Sequence, residues 1–431
     1  MAHSGIDDSL LALHGGDPVR RTPWPTYDRG AVCVHPEDED AALRALRSHL
    51  YFRYDYRPPQ DTECAQFEAE LCEFFGSRHA LATSSGTTAL ALAIMAAGIE
   101  PGSLIACPGF TFAATPSAIL LAGCTPFLVD VDENLHLDVE DLRRRWTPRI
   151  TAIVVVHMRG FAGDMAALSR FADEQGVPVF EDAVPALGAE LDGRKLGTFG
   201  LAGAFSTQSD KSLNSGEGGF LLTDDSALFA RATVLSGAYE GRLRRHFPGG
   251  EPPLATDLDL PLFSFRMDEI RAALLRSELA RLPLRLAAFR SNYDRVAAAL
   301  ADLDAIAIRR PVAPGAYLGE AFIFRVGGAR APWFVQALRA EGIEARNLGS
   351  DSDHNIRAFW NWRFLFRGMD TGAVQRLLPR ATGYLREAVD VPLSSTLTPE
   401  DCADLVAAVR KVAAALPSAE ADPMSAPAGH R

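Results

Sequence analysis

Between Thr62 and Thr223 the chain alternates short apolar runs with stretches of helical spacing, and few architectures tolerate that rhythm. Ala80–Thr83, Leu104–Cys107, Pro126–Val129, Ala152–Val156 and Val177–Phe180 read as strands. Helical segments from Ala89 to Ala97, around Thr115 to Leu121, and from Asp164 to Gln175 separate them. Continuously apolar strands joined by helices pair in parallel with both sheet faces covered, so the spacing predicts an α/β core of mostly parallel strands. Thr62 to Phe75 repeats Phe67, Leu71 and Phe74-Phe75 at helical spacing, and Gly76 stops it.

The rhythm changes on either side. Pro18, Pro23 and Pro25 block a long helix near the start, which reads as an arm lying over another surface, followed by a helix over Asp38 to Leu50. Ser236 to Phe263 is irregular. Met267 to Phe289 returns to helical spacing with Pro283 expected to kink or split it. A strand at Phe322–Val326, a helix over Pro332–Ala340 and an amphipathic helix over Ala403–Leu416 make a smaller α+β unit. The expected organisation is an arm and helix over 1–61, a large domain over 62–265, a small C-terminal domain over 266–416 and a disordered tail over 417–431.

Composition narrows the function. A net charge of −12 disfavours nucleic-acid and anionic-membrane partners, and no apolar run reaches the roughly 20 residues that span a bilayer. The six cysteines form no CxxC pair, and the N-terminus has no basic-then-apolar leader, so the expectation is a reduced, cytoplasmic protein. Lysine is scarce. Only Lys195, Lys211 and Lys411 can offer a primary amine.

Lys211 has the setting of a site residue, in a polar, glycine-rich stretch from Phe205 to Gly219 between two apolar runs. Lys195 sits in an exposed-looking turn and Lys411 in a terminal helix. Ser84-Ser85-Gly86-Thr87-Thr88 falls between a strand and a helix, where free N–H groups and the helix dipole attract phosphate; the ordinary alternative is a Ser/Thr cap. Glu181-Asp182 ends a strand, where open α/β sheets bind ligands; the alternative is helix capping by Asp182. An anion cradle, a carboxylate and a lysine are the parts that pyridoxal 5′-phosphate (PLP) requires.

With these residues in view, the chain resembles the DegT/DnrJ/EryC1/StrS family of PLP-dependent sugar aminotransferases, of aspartate-aminotransferase fold (fold type I). The resemblance runs from about Leu13 to Val412. It is carried by Leu13-His14-Gly15-Gly16, Ser85-Gly86-Thr87, Pro108-Gly109-Phe110-Thr111-Phe112, Val129-Asp130-Val131-Asp132, Val156-His157-Met158-Arg159-Gly160, Glu181-Asp182-Ala183, Ser206 with Lys211, Gly216-Glu217-Gly218-Gly219 and Phe265-Arg266-Met267-Asp268-Glu269. It implies that Lys211 is the Schiff-base lysine and proton shuttle, and that Asp182 pairs with the pyridinium nitrogen. Gly86, Thr87 and Ser206 would hold the phosphate, Phe112 would stack on the ring (or be a core aromatic), and His157 would sit near the cofactor (or be a buried structural histidine).

The resemblance further implies a homodimer with shared active sites, to which Ser236 to Arg266 would contribute. Glutamate or glutamine would be the amino donor, with a nucleotide-linked keto-sugar or a keto-cyclitol as acceptor. The aromatic stretch His354 to Trp362 reads either as loop packing or as a site lid that would suit a polar ring. The chain departs from the family pattern at Pro185, where a glutamine usually reaches the cofactor's phenolic oxygen, at Leu187 for a frequent histidine, and at Ser264 for an asparagine. These departures motivate an alternative PLP outcome, namely elimination, dehydration or cyclisation. A non-catalytic partner subunit is a third reading, against which the intact Lys211 and Asp182 argue.

Overall fold

The computed structural model describes residues 10–25, 34–254, 259–352 and 355–417. Expectations for the start of the arm, for His354 and for the tail beyond residue 417 lie outside the described residues. The core is a seven-stranded sheet built from β1 (His79–Thr83), β2 (Leu104–Pro108), β3 (Thr125–Val129), β4 (Ile150–Val156), β5 (Val179–Asp182), β8 (Ala202–Ser206) and β9 (Gly219–Thr223). A small hairpin of β6 (Glu190–Leu191) and β7 (Arg194–Lys195) lies outside it. The strand order is β1-β9-β8-β5-β4-β2-β3.

Strands β8, β5, β4, β2 and β3 pair in parallel, whereas β9 runs antiparallel to both of its neighbours. The reversal has a local cause. Residues 207–218 join β8 to β9 without a helix, and a parallel partner would need a crossover of a dozen or more residues that climbs back over the sheet. Lys211 therefore lies in the one connection that returns directly to the sheet's carboxyl edge.

Helices cover both faces. After α1 (Pro36–Ser48) comes α2 (Glu63–Phe75), which starts on the Thr62 hydroxyl and ends at Gly76 with φ 70°. It packs Phe67 and Phe75 against Phe205 and Phe220. On the other face α3 (Gly86–Ala96) is apolar all round, and Leu90 through Ile94 are all buried beneath α4 (Ala114–Leu121) and later helices. Strand β1 is an edge, and its outward groups at Ala82 are covered. Arg53 donates to Ala82 O (3.2 Å), Ala82 N–H donates to Glu68 Oε1 (2.7 Å), and the two side chains pair at 2.8 Å.

The chain continues through α5 (Val139–Arg145), α6 (Met165–Gln175) and α7 (Ser226–Ser236) to α8 (Glu269–Ala299), an unbroken helix of 31 residues. Pro283 does not split it. Leu279, Leu282 and Leu286 are buried on either side of the proline, and Arg281 and Arg285 are anchored to Asp38 and to Ser212 O. This packing offsets a helix-interior proline, which otherwise costs about 3 kcal/mol. Beyond it β10 (Ala307–Ile308), β11 (Ala321–Arg325), β12 (Arg346–Asn347) and β13 (Ala388–Pro392) form a second, antiparallel sheet in the order β10-β11-β13-β12. Helices α9 (Ala331–Ala340) and α10 (Pro399–Ala414) pack on it.

Phe220 stacks on Phe205 at 4.6 Å and touches Phe67 and Phe75 from a fully buried position. Phe220→Ala is expected to cost about 3–5 kcal/mol, read as a lower denaturant midpoint at unchanged slope.

Candidate active site

A cavity of about 360 Å³ opens at the carboxyl edge of the large sheet. Chain ends from β1, β2, β4, β5 and β8 reach it, because parallel strands deliver all their following loops to one edge.

The turn after β1 forms one wall. Ser85 is the N-cap of α3: its Oγ accepts from Thr88 N–H (3.1 Å), and Thr88 Oγ1 accepts from Ser85 N–H (3.1 Å). The expected cap is therefore real, and it leaves two backbone N–H groups open beside it. The N–H groups of Gly86 and Thr87 have no acceptor among the described residues, and they stand at the positive end of an 11-residue helix. Glycine is required here by space. A Cβ at Gly86 would lie 2.8 Å from Ser206 Cβ, and one at Gly219 would overlap the Ser85 backbone. The turn thus seats on β8 and β9 main chain to main chain, with the Ser206 hydroxyl beside it.

Opposite lies Asp182. Successive strand residues face opposite sides, and this alternation separates the two carboxylates that end β5. Asp182 faces the cavity, and its Oδ2 accepts from Thr115 Oγ1 (2.6 Å) while Oδ1 accepts from Val184 N–H (3.3 Å). Thr115 has a single proton, spent on Asp182, so Thr111 Oγ1 (2.6 Å away) donates to Thr115 in turn. Both threonines are fully buried. Burial pushes the Asp182 carboxyl above its ordinary 3.8, against the opposing pull of Thr115, Val184 N–H, Lys211 and His157.

Glu181 points the other way. It accepts from Gly197 N–H (2.8 Å) and Gly200 N–H (2.7 Å) and meets His157 Nε2 at 2.9 Å. His157 Nδ1 accepts from Gly163 N–H (3.1 Å), so the ring proton is on Nε2 and points at Glu181. His157 is wholly buried and stands off the cavity. Both of its nitrogens are taken by this clamp.

Lys211 lines the cavity from the loop between β8 and β9. Short backbone bonds shape that loop: Thr207 N–H to Gly218 O (2.9 Å), Ser215 N–H to Thr207 O (2.8 Å) and Lys211 N–H to Gln208 O (2.8 Å). Helix α8 holds it from below. Glu278 accepts from Asn214 N–H (2.9 Å) and Nδ2 (3.2 Å), and Arg285 donates to Ser212 O and pairs with Glu278 at 3.3 Å. The other two amines are occupied elsewhere, Lys195 with Glu190 (3.2 Å) and Lys411 with Glu341 (2.8 Å). Phe112 stands on the cavity wall, 43% exposed, so it is not a core aromatic; the Arg357 guanidinium lies 5.8 Å from its ring centre.

Pro185 and Leu187 fall in the turn after β5, with Pro185 on the cavity wall and Leu187 buried in the core. Ser264 accepts from Arg266 Nη2 (3.0 Å). Sequence reasoning missed the Thr115 bond to Asp182 and did not single out Glu320, which lines the cavity beside Arg159. The four-residue spacing of Thr111 and Thr115 was the one local signal available for the threonine pair.

These features fit PLP. Two unsatisfied backbone N–H groups with a serine suit its phosphate, a buried carboxylate suits its ring nitrogen, and a half-buried lysine lines the same cavity. Because the folded Asp182 carboxyl titrates above 3.8, the PLP-free protein loses stability as pH rises from 3.8 through that folded value. Asp182→Asn is expected to flatten the slope, measured by denaturant unfolding between about pH 4 and pH 8. The same variant should weaken PLP at least roughly tenfold. Thr115→Val, which strips a donor from the anion, should weaken PLP as well and steepen the slope.

The model of the DegT/DnrJ/EryC1/StrS aminotransferase family matches residues 57–410. The chain is 37% identical over 276 residues to the L-glutamine:2-deoxy-scyllo-inosose aminotransferase of Micromonospora echinospora, covering 64% of this chain and 64% of that protein. More than a third of that relative's length is thus unmatched. Identity is 29% over 347 residues, 80% of this chain and 87% of the relative, to the UDP-N-acetyl-3-dehydro-alpha-D-glucosamine 3-aminotransferase of Acidithiobacillus ferrooxidans. The fold superposes on the crystal structure of 3-amino-5-hydroxybenzoic acid (AHBA) synthase with a TM-score of 0.75 at 26% identity, covering 93% of this chain and 99% of that one. The chain belongs to the DegT/DnrJ/EryC1/StrS aminotransferase family.

Proposed function

We propose that the protein is a PLP-dependent aminotransferase that takes an amino group from glutamine or glutamate and delivers it to a keto-cyclitol or a nucleotide-linked keto-sugar. The observation that carries this reading is the convergence of Lys211, Asp182 and the open N–H groups of Gly86 and Thr87 on one cavity. When bound, PLP supplies an electron sink and a carrier for the amino group. The protein's own residues do the rest. Gly86, Thr87 and Ser206 hold the phosphate, Asp182 accepts from the ring N–H, Lys211 supplies the amine and moves the proton, and Phe112 covers a ring face. In this reading 62–265 carries the cofactor grip and 266–416 brings Glu320 and Arg357 to the same cavity.

The names of the relatives support the donor and both acceptor classes. Pro185 on the cavity wall motivated elimination, dehydration or cyclisation, but the relatives' names favour transamination. A homodimer is supported by exposed Tyr56 (85%) and Leu262 (50%) near the segment expected to cross between subunits. A cytoplasmic setting is supported by five cysteines that are free among the described residues. Among the described residues no helix is long and apolar enough to cross a membrane.

With PLP added, the purified protein should show a violet-absorbing band that borohydride fixes to the chain, and Lys211→Ala should lack it. Glutamine or glutamate should bleach the band in the wild type. A protein that takes up no chromophore would sink the proposal.

A further inference from the structure

One cavity residue stands in a backbone conformation that its side chain disfavours. Arg159, three residues past the end of β4, has φ 57° and ψ 33°, in the left-handed region, and is only 4% exposed. Outside glycine that region is disfavoured by the side chain, so the surroundings must enforce it. They do so across the boundary between the two sheets. Gly160 O accepts from Leu318 N–H (2.7 Å), Ala316 O accepts from Ala162 N–H (3.0 Å), and Met158 O accepts from Arg309 Nη1 (2.8 Å). A Cβ at Gly160 would stand 2.8 Å from Leu318 Cβ, so the two segments are in direct contact.

The strained backbone aims the guanidinium at two buried carboxylates of the small sheet. Arg159 Nη2 donates to Asp390 Oδ1 on β13 at 2.9 Å, and Nη1 reaches Glu320 Oε1 at 3.5 Å. Asp390 is also held by Arg346 Nε at 3.1 Å. Glu320 precedes β11, is 3% exposed and lines the cavity that Lys211 lines. The arrangement therefore holds a carboxylate from the small sheet in a cavity of the large one. A carboxylate can accept about four hydrogen bonds, and vicinal hydroxyls present donors at matching spacing.

We propose that Glu320, positioned by Arg159, selects the acceptor: it accepts hydrogen bonds from neighbouring hydroxyls of a neutral, polyhydroxylated ring ketone. The proposal rests on the aminotransferase reading above. Charge supports the neutral ring over a nucleotide-linked sugar. Asp182, Asp210, Glu217 and Glu320 line the cavity against Arg159, Lys211 and Arg357, and Arg159 is already matched by Asp390, so a diphosphate would meet more anions than cations.

The test uses the PLP-loaded enzyme with glutamine as donor. Its two acceptor probes are 2-deoxy-scyllo-inosose and UDP-N-acetyl-3-dehydro-alpha-D-glucosamine. Wild type should prefer the cyclitol. Glu320→Gln, which keeps shape and removes charge, should raise the cyclitol KM roughly tenfold to a hundredfold with kcat little changed. Bleaching of the violet band by glutamine should stay at the wild-type rate. Arg159→Lys should shift KM in the same direction; if it does not fold, Glu320→Gln alone decides. An unchanged cyclitol KM in Glu320→Gln, or an equal loss in the glutamine step, would overturn the assignment. Bleaching by glutamine with turnover of the nucleotide sugar alone, or of neither probe, would overturn the acceptor class and leave the aminotransferase reading standing. No bleaching at all would overturn both.

Discussion

The site depends on a main-chain contact: the turn after β1 lies directly on β8 and β9, with no side chain between Gly86 and Ser206 or between Gly219 and Ser85. Any larger residue at either glycine would lift the turn by the thickness of a methyl group. The contact sets the distance between the open N–H groups and the loop that carries Lys211. It also depends on β9 running backwards, since a parallel β9 would begin at the opposite edge of the sheet.

Burial makes the surrounding charges expensive to leave unpaired, and the protein answers with dense pairing. Glu181 receives two backbone N–H groups and the His157 ring, while Arg53 and Glu68 satisfy each other and the edge at Ala82. Breaking such a pair by removing one partner typically costs about 3–5 kcal/mol, because the other charge stays buried. Asp182 is treated differently. Two donors and a nearby lysine only partly offset its burial, so the carboxyl is left above its ordinary range. A carboxylate poised in this way gains from a cationic ring N–H more than a fully satisfied one would.

Much of this architecture was legible in local sequence. The apolar rhythm placed every parallel strand to within a few residues, and the scarcity of lysine singled out Lys211 without any structure. Strand alternation, applied to Glu181-Asp182, would also have separated the cavity carboxylate from the clamped one. What local sequence could not convey was long-range. Pro283 looked like a break because the buried leucines and anchored arginines that hold α8 straight come from distant partners. Glu320 carried no signal, since its role exists only after Arg159 crosses from 161 residues away. For His157, local sequence left open a place near the cofactor or a structural role, and only the folded contacts with Gly163 and Glu181 show what its nitrogens meet.

Helix α8 has a consequence of its own. At 31 residues it extends roughly 46 Å, touching α1 and α2 near its start and α10 near its end. Glu278 and Arg285, two turns apart on it, are the residues that grip the loop around Lys211. The loop that carries the amine is thus tied to α8 as well as to the β8 and β9 strands that flank it. A cofactor tied to the lysine would therefore bear, through that loop, on a helix that reaches from α1 and α2 to α10.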